Sequence, residues 1–230
     1  MTPARSPQDF TTALRAHSDR YWHKHPLHLR LHRGELSRQE LRQWIANRWY
    51  YQRCLPQKDA AIVANCPDPE VRRRWVQRVL YQDGTAERRG GHAQWLDLAE
   101  AAGLSRAEVL DERHVIPGVR FATDSYVAFA RTRPWIEAVA SSLTELFSPE
   151  LMRERLDALR THYPWIAASG HGYFAERPAA ATEDARHALD LVLTHCTTQE
   201  RQEAALAALA FKCDVLWAML DALEHAGRTP

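Results

Sequence analysis

Glycine is scarce in this chain, nine in 230 residues. Most of it falls at Gly84, Gly90–Gly91, Gly103, Gly118 and Gly170–Gly172. Between these points no β-branched alternating run appears, which argues against a sheet. Cysteine is limited to Cys54, Cys66, Cys196 and Cys213, with no C-x-x-C pair and no zinc-type spacing. With apolar flanks, each reads as a small buried hydrophobe in a reducing compartment. No apolar run approaches the roughly 20 residues of a membrane span. The opening Met1-Thr-Pro-Ala-Arg-Ser-Pro7 lacks the apolar region of a signal peptide. A dominant charge sign is missing too: 30 Lys and Arg face 29 Asp and Glu, a formal +1. The basic residues are spread along the chain, so nothing points to nucleic acid or membrane partners. The expected location is cytoplasmic. The motifs G-x-S-x-G, G-x-x-x-x-G-K-[ST] and G-x-G-x-x-G are absent, which weakens nucleophilic, nucleotide and dinucleotide readings.

What is present is a helical period and a series of helix starts. Ser6-Pro7-Gln8-Asp9 reads as an N-cap with proline in the first turn, opening a helix to about Tyr21. Ser37-Arg-Gln-Glu40 and Ser105-Arg-Ala-Glu108 are capping boxes, and Asp68-Pro69-Glu70 opens another helix. A helix from Gly91 is stopped at Gly103. Pro56 is expected to break the helix that begins at Ser37, with Lys58 opening the next. Further helices are expected over residues 120–131, 135–147 and 149–161, then from about Pro164, Thr182 and Thr198. The last is the longest and most apolar, with Leu206, Leu209, Leu216, Met219, Leu220 and Leu223 as a central bundle face. The expected architecture is a single all-α domain over 1–230, ordered from about 6 to 225. It is a compact helical bundle of about seven helices or more.

A bundle builds sites from side chains on facing helices, so long polar residues inside apolar helices are the candidates. Arg48, Tyr51 and Gln52 stand at i, i+3 and i+4, stacked on one helix face. Arg78 and Gln82 form a second i, i+4 pair, and Tyr173 and Arg177 a third. Lys212 lies in the most apolar helix, crowded by Leu209, Phe211, Cys213, Leu216 and Trp217, and a buried lysine needs a partner. Glu145 is a lone carboxylate in an apolar stretch, whose bland reading is a structural ion pair. Each cation alone is more simply a side chain that snorkels its head into water. Together, arginines and lysines facing one cavity suit a ligand with several carboxylates.

The histidines His23, His25, His28 and His32 invite a metal reading. A di-iron bundle site needs two Glu-x-x-His units on separate helices. Asp111-x-x-His114 and Asp184-x-x-His187 keep that spacing with Asp in place of Glu, so the metal reading is weak.

The chain resembles the pyrroloquinoline-quinone synthase (PqqC-type) family. The residues that carry the likeness include Asn47-Arg-x-Tyr-Tyr-Gln52, Pro56-x-Lys-Asp-Ala60 and Arg78 ahead of Asp83-Gly84. Further along come Pro117-Gly-Val-Arg-Phe-Ala122, Ser141-Ser-Leu-Thr-Glu-Leu-Phe147, His162-Tyr-Pro-Trp-Ile166 and Phe211-Lys212 with Leu216-Trp217. The resemblance implies a TenA/haem-oxygenase-like bundle, normally a homodimer. It implies an oxidase that closes a ring in a tricarboxylic quinone precursor and removes eight electrons to give pyrroloquinoline quinone. Oxygen is the acceptor, hydrogen peroxide is released, and neither metal nor organic cofactor is used.

On that resemblance Arg48, Lys58, Arg78, Arg155, Arg177 and Lys212 surround the carboxylates. Tyr51, Gln52, Tyr126 and Glu145 meet the quinone oxygens or ring nitrogen, while Tyr173 and Arg177 lie near oxygen. Two departures bear on proton transfer. Gln82 stands where the family usually has a histidine base, and glutamine cannot take a proton near neutral pH. Trp22 stands at a common pocket-histidine position, with His23 adjacent as a substitute, and Met152 replaces a histidine that some members carry. Glu145, Tyr173 and His23 are the bases left to weigh. The rival readings are a related oxidase of a different polar substrate, a non-catalytic quinone-binding protein and a metal-dependent bundle oxidase.

Overall fold

Helix starts are set by local capping chemistry. In a computed structural model, which describes residues 3–228, the Ser6 side chain accepts from the Asp9 amide and opens α1 (Pro7–Ala16). A short α2 (Pro26–His32) follows two tight 3-10 turns, His17–Arg20 and Trp22–Lys24. The Ser37–Glu40 capping box opens α3 (Arg38–Asn65), and Asp68 caps α4 (Pro69–Asp83). Next come α5 (Gly91–Ala101), α6 (Arg106–Leu110), α7 (Pro117–Thr132) and α8 (Trp135–Ser141). The chain closes with α9 (Ser148–His162), α10 (Gly172–His195) and α11 (Gln199–Arg228). No strand occurs among the described residues, only an isolated bridge between Gly84 and Arg89. Gly84 ends α4 at φ +89°, a backbone region that disfavours a Cβ.

Two expected helix breaks are absent. α3 runs through Pro56. Proline has no N–H, so the Gln52 carbonyl loses its intrahelical donor. His92 of α5 supplies a replacement, its Nε2 donating to the Gln52 oxygen at 2.8 Å. The expected starts at Pro164 and Thr182 are likewise replaced by one helix, α10, which runs through Pro178. Thr182 does not cap a new helix but donates its hydroxyl to the Pro178 carbonyl at 2.9 Å. Arg177 reaches across the proline to Asp184 at 2.9 Å and splints the two halves. Conversely, the helix expected over 135–147 ends at Ser141 and tightens into a 3-10 turn, Ser142–Phe147. The Ser141 hydroxyl donates back to the Ala138 carbonyl at 2.6 Å, a bond that competes with regular helix.

α3 packs against α7, α4 and α5; α10 against α9, α5 and α8; α11 against α7 and α8. Two apolar clusters form the interior. One holds Trp44, Tyr51, Trp95, Tyr126, Phe174 and Leu216, the other Phe10, Ile62, Trp75, Val139, Leu143 and Leu209. Lys58 stands at their seam, with Nζ 5.8 Å from the centroids of both Trp75 and Tyr126. The four cysteines are free and buried. Among the described residues no helix is long and apolar enough to cross a membrane.

Candidate active site

The seam opens into a cavity with about 60 Å³ available to the centres of water-sized molecules. That volume suits a few waters, so a ring-sized ligand must displace side chains. Of the residues singled out in the sequence, Trp22, Arg48, Tyr51, Gln52, Lys58, Tyr126, Glu145, Tyr173, Arg177 and Lys212 line it. The sequence reading missed Tyr21, Leu55, Ser142, Thr144, Ser148 and Leu216, and it assigned Met152 no part in the site; these seven also line the cavity. The serines and threonine carry no spacing signal. It is the 3-10 turn that brings Ser142 and Thr144 to the wall, and the start of α9 that brings Ser148.

α3 supplies one wall, as its i, i+3, i+4 spacing predicts. Arg48 is 9% exposed, its guanidinium centred 4.3 Å from the Trp22 ring and 4.1 Å from Tyr51. No carboxylate pairs with it among the described residues, and Nη1 has no hydrogen-bond partner. Burial pushes its pKa down. Gln52 is fully buried with both amide atoms unpartnered, although such groups are nearly always satisfied. Lys58 differs: Nζ donates to Asp59 at 2.5 Å and to the Ser142 hydroxyl at 3.0 Å. Burial works against its charge, but Asp59, Tyr126 and Glu145 together outweigh it and the pKa is raised. Asp59 also accepts from the Trp75 indole at 2.9 Å, which fixes it in place.

Facing α3, Lys212 of α11 is only 1% exposed. Its Nζ donates to the Tyr51 hydroxyl at 2.7 Å and lies between the parallel rings of Tyr51 and Tyr126, 4.1 and 3.6 Å from their centroids. Burial pushes its pKa well below the ordinary lysine value, and the Arg48 and Lys58 cations push the same way. Each ring face returns only about 0.5–2 kcal/mol to a cation, against several kcal/mol for an ion's lost hydration. Burial likewise lifts the Tyr51 phenol far above its usual range, overriding Arg48.

Arg78 and Arg177 form a closed cluster with two carboxylates. Glu145 accepts from Arg78 and from Arg177, each at 2.7 Å, through its two separate oxygens. Asp184 accepts from Arg177 at 2.9 Å, and its backbone carbonyl accepts from Arg78 at 2.6 Å. Burial opposes the Arg177 charge, but these carboxylates raise its pKa far above normal. Arg78 does not line the cavity, so it is a structural partner rather than a free cation in this geometry.

Three other expected site residues lie off the cavity. Arg155 is 2% exposed behind Trp22, its guanidinium 5.3 Å from that ring, and it donates to His28 Nδ1 at 2.9 Å. Its Nε is unpartnered, and burial followed by Arg48 lowers its pKa to about 10. Gln82 is 3% exposed with Oε1 unpartnered, pressed against Gly91, where an added Cβ would meet Oε1 at 2.6 Å. His23 is half-buried beside the Tyr21 ring. No histidine lines the cavity among the described residues. Trp22 thereby gains a physical rationale: two unpaired guanidiniums share its neighbourhood, and an indole offers them a π-face without adding a third positive charge.

Asp184 is taken up by Arg177, and His187 packs on Trp75. Among the described residues, no three His, Cys, Asp or Glu side chains gather to hold a metal ion.

The TENA/THI-4/PQQC family model matches residues 11–222. The chain belongs to that family. It is 51% identical over 226 residues to the pyrroloquinoline-quinone synthase of Klebsiella pneumoniae (strain 342), covering 98% of this chain and 90% of that one. It is 53% identical over 219 residues to the pyrroloquinoline-quinone synthase of Pseudomonas aeruginosa (strain LESB58), covering 95% and 87%. Among solved structures, a domain of unknown function with a haem-oxygenase-like fold from Shewanella denitrificans matches with TM-score 0.79 at 12% identity. It covers 97% of this chain and 94% of that one. A TenA homologue from Pseudomonas syringae pv. tomato matches with TM-score 0.70 at 13% identity, covering 98% and 99%. These two likenesses establish the fold, an all-α haem-oxygenase-like bundle.

Proposed function

We propose that this chain is an oxygen-dependent oxidase of the pyrroloquinoline-quinone synthase type. In this reading it closes the last ring of a tricarboxylic quinone precursor and removes eight electrons, with dioxygen as acceptor and hydrogen peroxide as product. The observation that carries it is the identity of about half the residues to synthases of that name across nearly the whole chain. The cavity agrees with such a substrate. Arg48 and Lys212 line it without a carboxylate partner, and buried unpaired cations are stabilised by an anionic ligand. Tyr51, Gln52, Tyr126 and Tyr173 offer hydrogen bonds to ring oxygens and nitrogen, and fixed cations favour the quinol and carbanion states that reduce oxygen.

The reading includes a homodimer, a cytoplasmic location and chemistry that needs no metal or organic cofactor. Sedimentation and elemental analysis of the purified protein test the first and last. Incubation with the quinone precursor in air gives a quinone absorbance change and peroxide. Absence of both binding and spectral change overturns the proposal. The lack of a cavity histidine among the described residues favours one second reading, a relative that binds such a quinone without turning it over. Tight binding of the finished quinone with no oxygen uptake distinguishes that case.

A further inference from the structure

Each oxidation of a quinol-like substrate begins with loss of a proton, and the cavity offers few groups to take it. No histidine lines it among the described residues. Both oxygens of Glu145 are held by guanidiniums. Arg48 does not lose or regain protons in this range. Lys212 is different from every other cation here. It is buried, lines the cavity, has no carboxylate partner among the described residues, and makes its hydrogen bond to a neutral phenol.

We infer that Lys212 enters the reaction as a neutral amine and is the proton acceptor of this cavity, in place of the histidines absent at Trp22, Gln82 and Met152. The inference rests on the oxidase reading. Around Nζ stand Arg48, Tyr51 and Lys58 of α3, Tyr126 of α7, Glu145 of the 3-10 turn, and Cys213 on its own helix. The two cations and the loss of water oppose an ammonium. Glu145 favours one, but its charge is shared by Arg78 and Arg177. The Lys212 pKa, lowered by burial and then by Arg48 and Lys58, agrees with this geometry.

In the step, a substrate C–H, N–H or quinol O–H bond breaks and an N–H bond forms on Lys212. The electron pair stays on the conjugated ring as an anion. The new ammonium then gains what it lacks at rest, a negative partner, while the two tyrosine faces hold it. The anion passes two electrons and its second proton to dioxygen, giving hydroperoxide. Lys212 returns its proton to that oxygen, so hydrogen peroxide leaves and the amine is regenerated. Substrate lost two protons and two electrons; dioxygen gained both.

The chain contains only three lysines, Lys24, Lys58 and Lys212, which makes a direct test practical. Protein labelled with carbon-13 at the lysine ε position gives three signals, and Lys212→Met identifies one. Near neutral pH the Lys212 signal is expected at the neutral-amine position, with Lys58 at the ammonium position. Adding reduced pyrroloquinoline quinone without oxygen should move the Lys212 signal to the ammonium position as the quinol spectrum becomes that of its anion. A resting Lys212 ammonium, or a signal unmoved by bound quinol, overturns the inference. Turnover by Lys212→Arg should fall by roughly 10²–10⁴, the usual range for a lost acid–base group, with binding kept; an undiminished rate also overturns it. The two readings fail separately. Turnover with a resting ammonium removes Lys212 alone, whereas absence of quinol binding removes the oxidase reading whatever the lysine signal.

Discussion

His92 Nε2 lies 2.8 Å from the carbonyl oxygen of Gln52, the one carbonyl of α3 that Pro56 leaves without its i+4 donor. Asp83 Oδ1 stands 3.3 Å from the other ring nitrogen. The same Gln52 presents its amide among the residues that line the cavity. A helix defect, a histidine and a site wall are therefore one unit. His92→Ala should cost about 1–3 kcal/mol, the usual penalty for a buried unsatisfied carbonyl. Pro56→Ala restores an N–H at the right place in the helix, so His92→Ala in that background should cost at least about 1 kcal/mol less. Urea unfolding of the four proteins measures the coupling, and strict additivity contradicts it.

Arg48 and Arg78 are both buried arginines, yet their removal should act in opposite directions. Arg48 has no carboxylate among the described residues, so Arg48→Met should stabilise the protein without ligand by about 1–4 kcal/mol. The same change should weaken binding of a tricarboxylic quinone by about 2–5 kcal/mol, the scale for losing one partner of a buried charge pair. Arg78 neutralises Glu145 and approaches Asp184, and Arg78→Met should destabilise by about 3–5 kcal/mol. Denaturant midpoints with and without ligand give both signs. Equal destabilisation by the two variants contradicts the division into free and paired cations.

Stability should rise with pH between about 5 and 6.5. Burial pushes His28 far below the ordinary histidine value, with Arg155 adding to it. Burial lowers His32 and His187 to about 4 each, helped by Arg155 at the first and Arg74 at the second. These rings are neutral in the folded chain and become charged on unfolding below their unfolded pKa of about 6.5. Unfolding therefore takes up protons in this window. The stabilisation is complete above pH 6.5 and is lost as pH falls towards the folded values, with a slope of at most about 1.4 kcal/mol per pH unit per histidine. Unfolding free energies at a series of pH values measure it, and a flat or falling profile contradicts it. His28→Gln should flatten the curve.

Helical periodicity and capping chemistry made most of the fold legible, because both are local. Ser6, Ser37, Asp68 and Ser105 cap as their spacing predicts. Pro56 misled because its cost is met by a tertiary partner, His92 of α5, and the expected start at Thr182 was wrong because α10 continues through Pro178, spanned by the Arg177–Asp184 bond within the same helix. The i, i+3, i+4 face of α3 was readable, and so was the oddity of Lys212. Which cations remain free was not. That depends on carboxylates distant in sequence, with Glu145 taking Arg78 and Arg177 while no carboxylate among the described residues pairs with Arg48. The role of Asp59 was hidden in part because one of its partners, Trp75, comes from α4.

Gln82 is the position where a single substitution should raise activity. Its side chain is buried with Oε1 unpartnered, against Gly91 and close to the Tyr173 ring that lines the cavity. Glutamine holds the space of a ring but cannot take a proton. Gln82→His places a titrating group one residue from the catalytic wall, beside a cavity whose lining has none of histidine type. Where proton removal limits turnover, the variant should oxidise the quinone precursor faster, by up to about 10²-fold, the low end of general acid–base catalysis. Its rate should gain an acid limb near the histidine pKa that the native protein lacks. Single-turnover absorbance traces across pH measure both. An unchanged rate would mean that proton transfer at position 82 does not limit the reaction, and a loss of rate would mean that Gln82 serves as a hydrogen-bonding group instead.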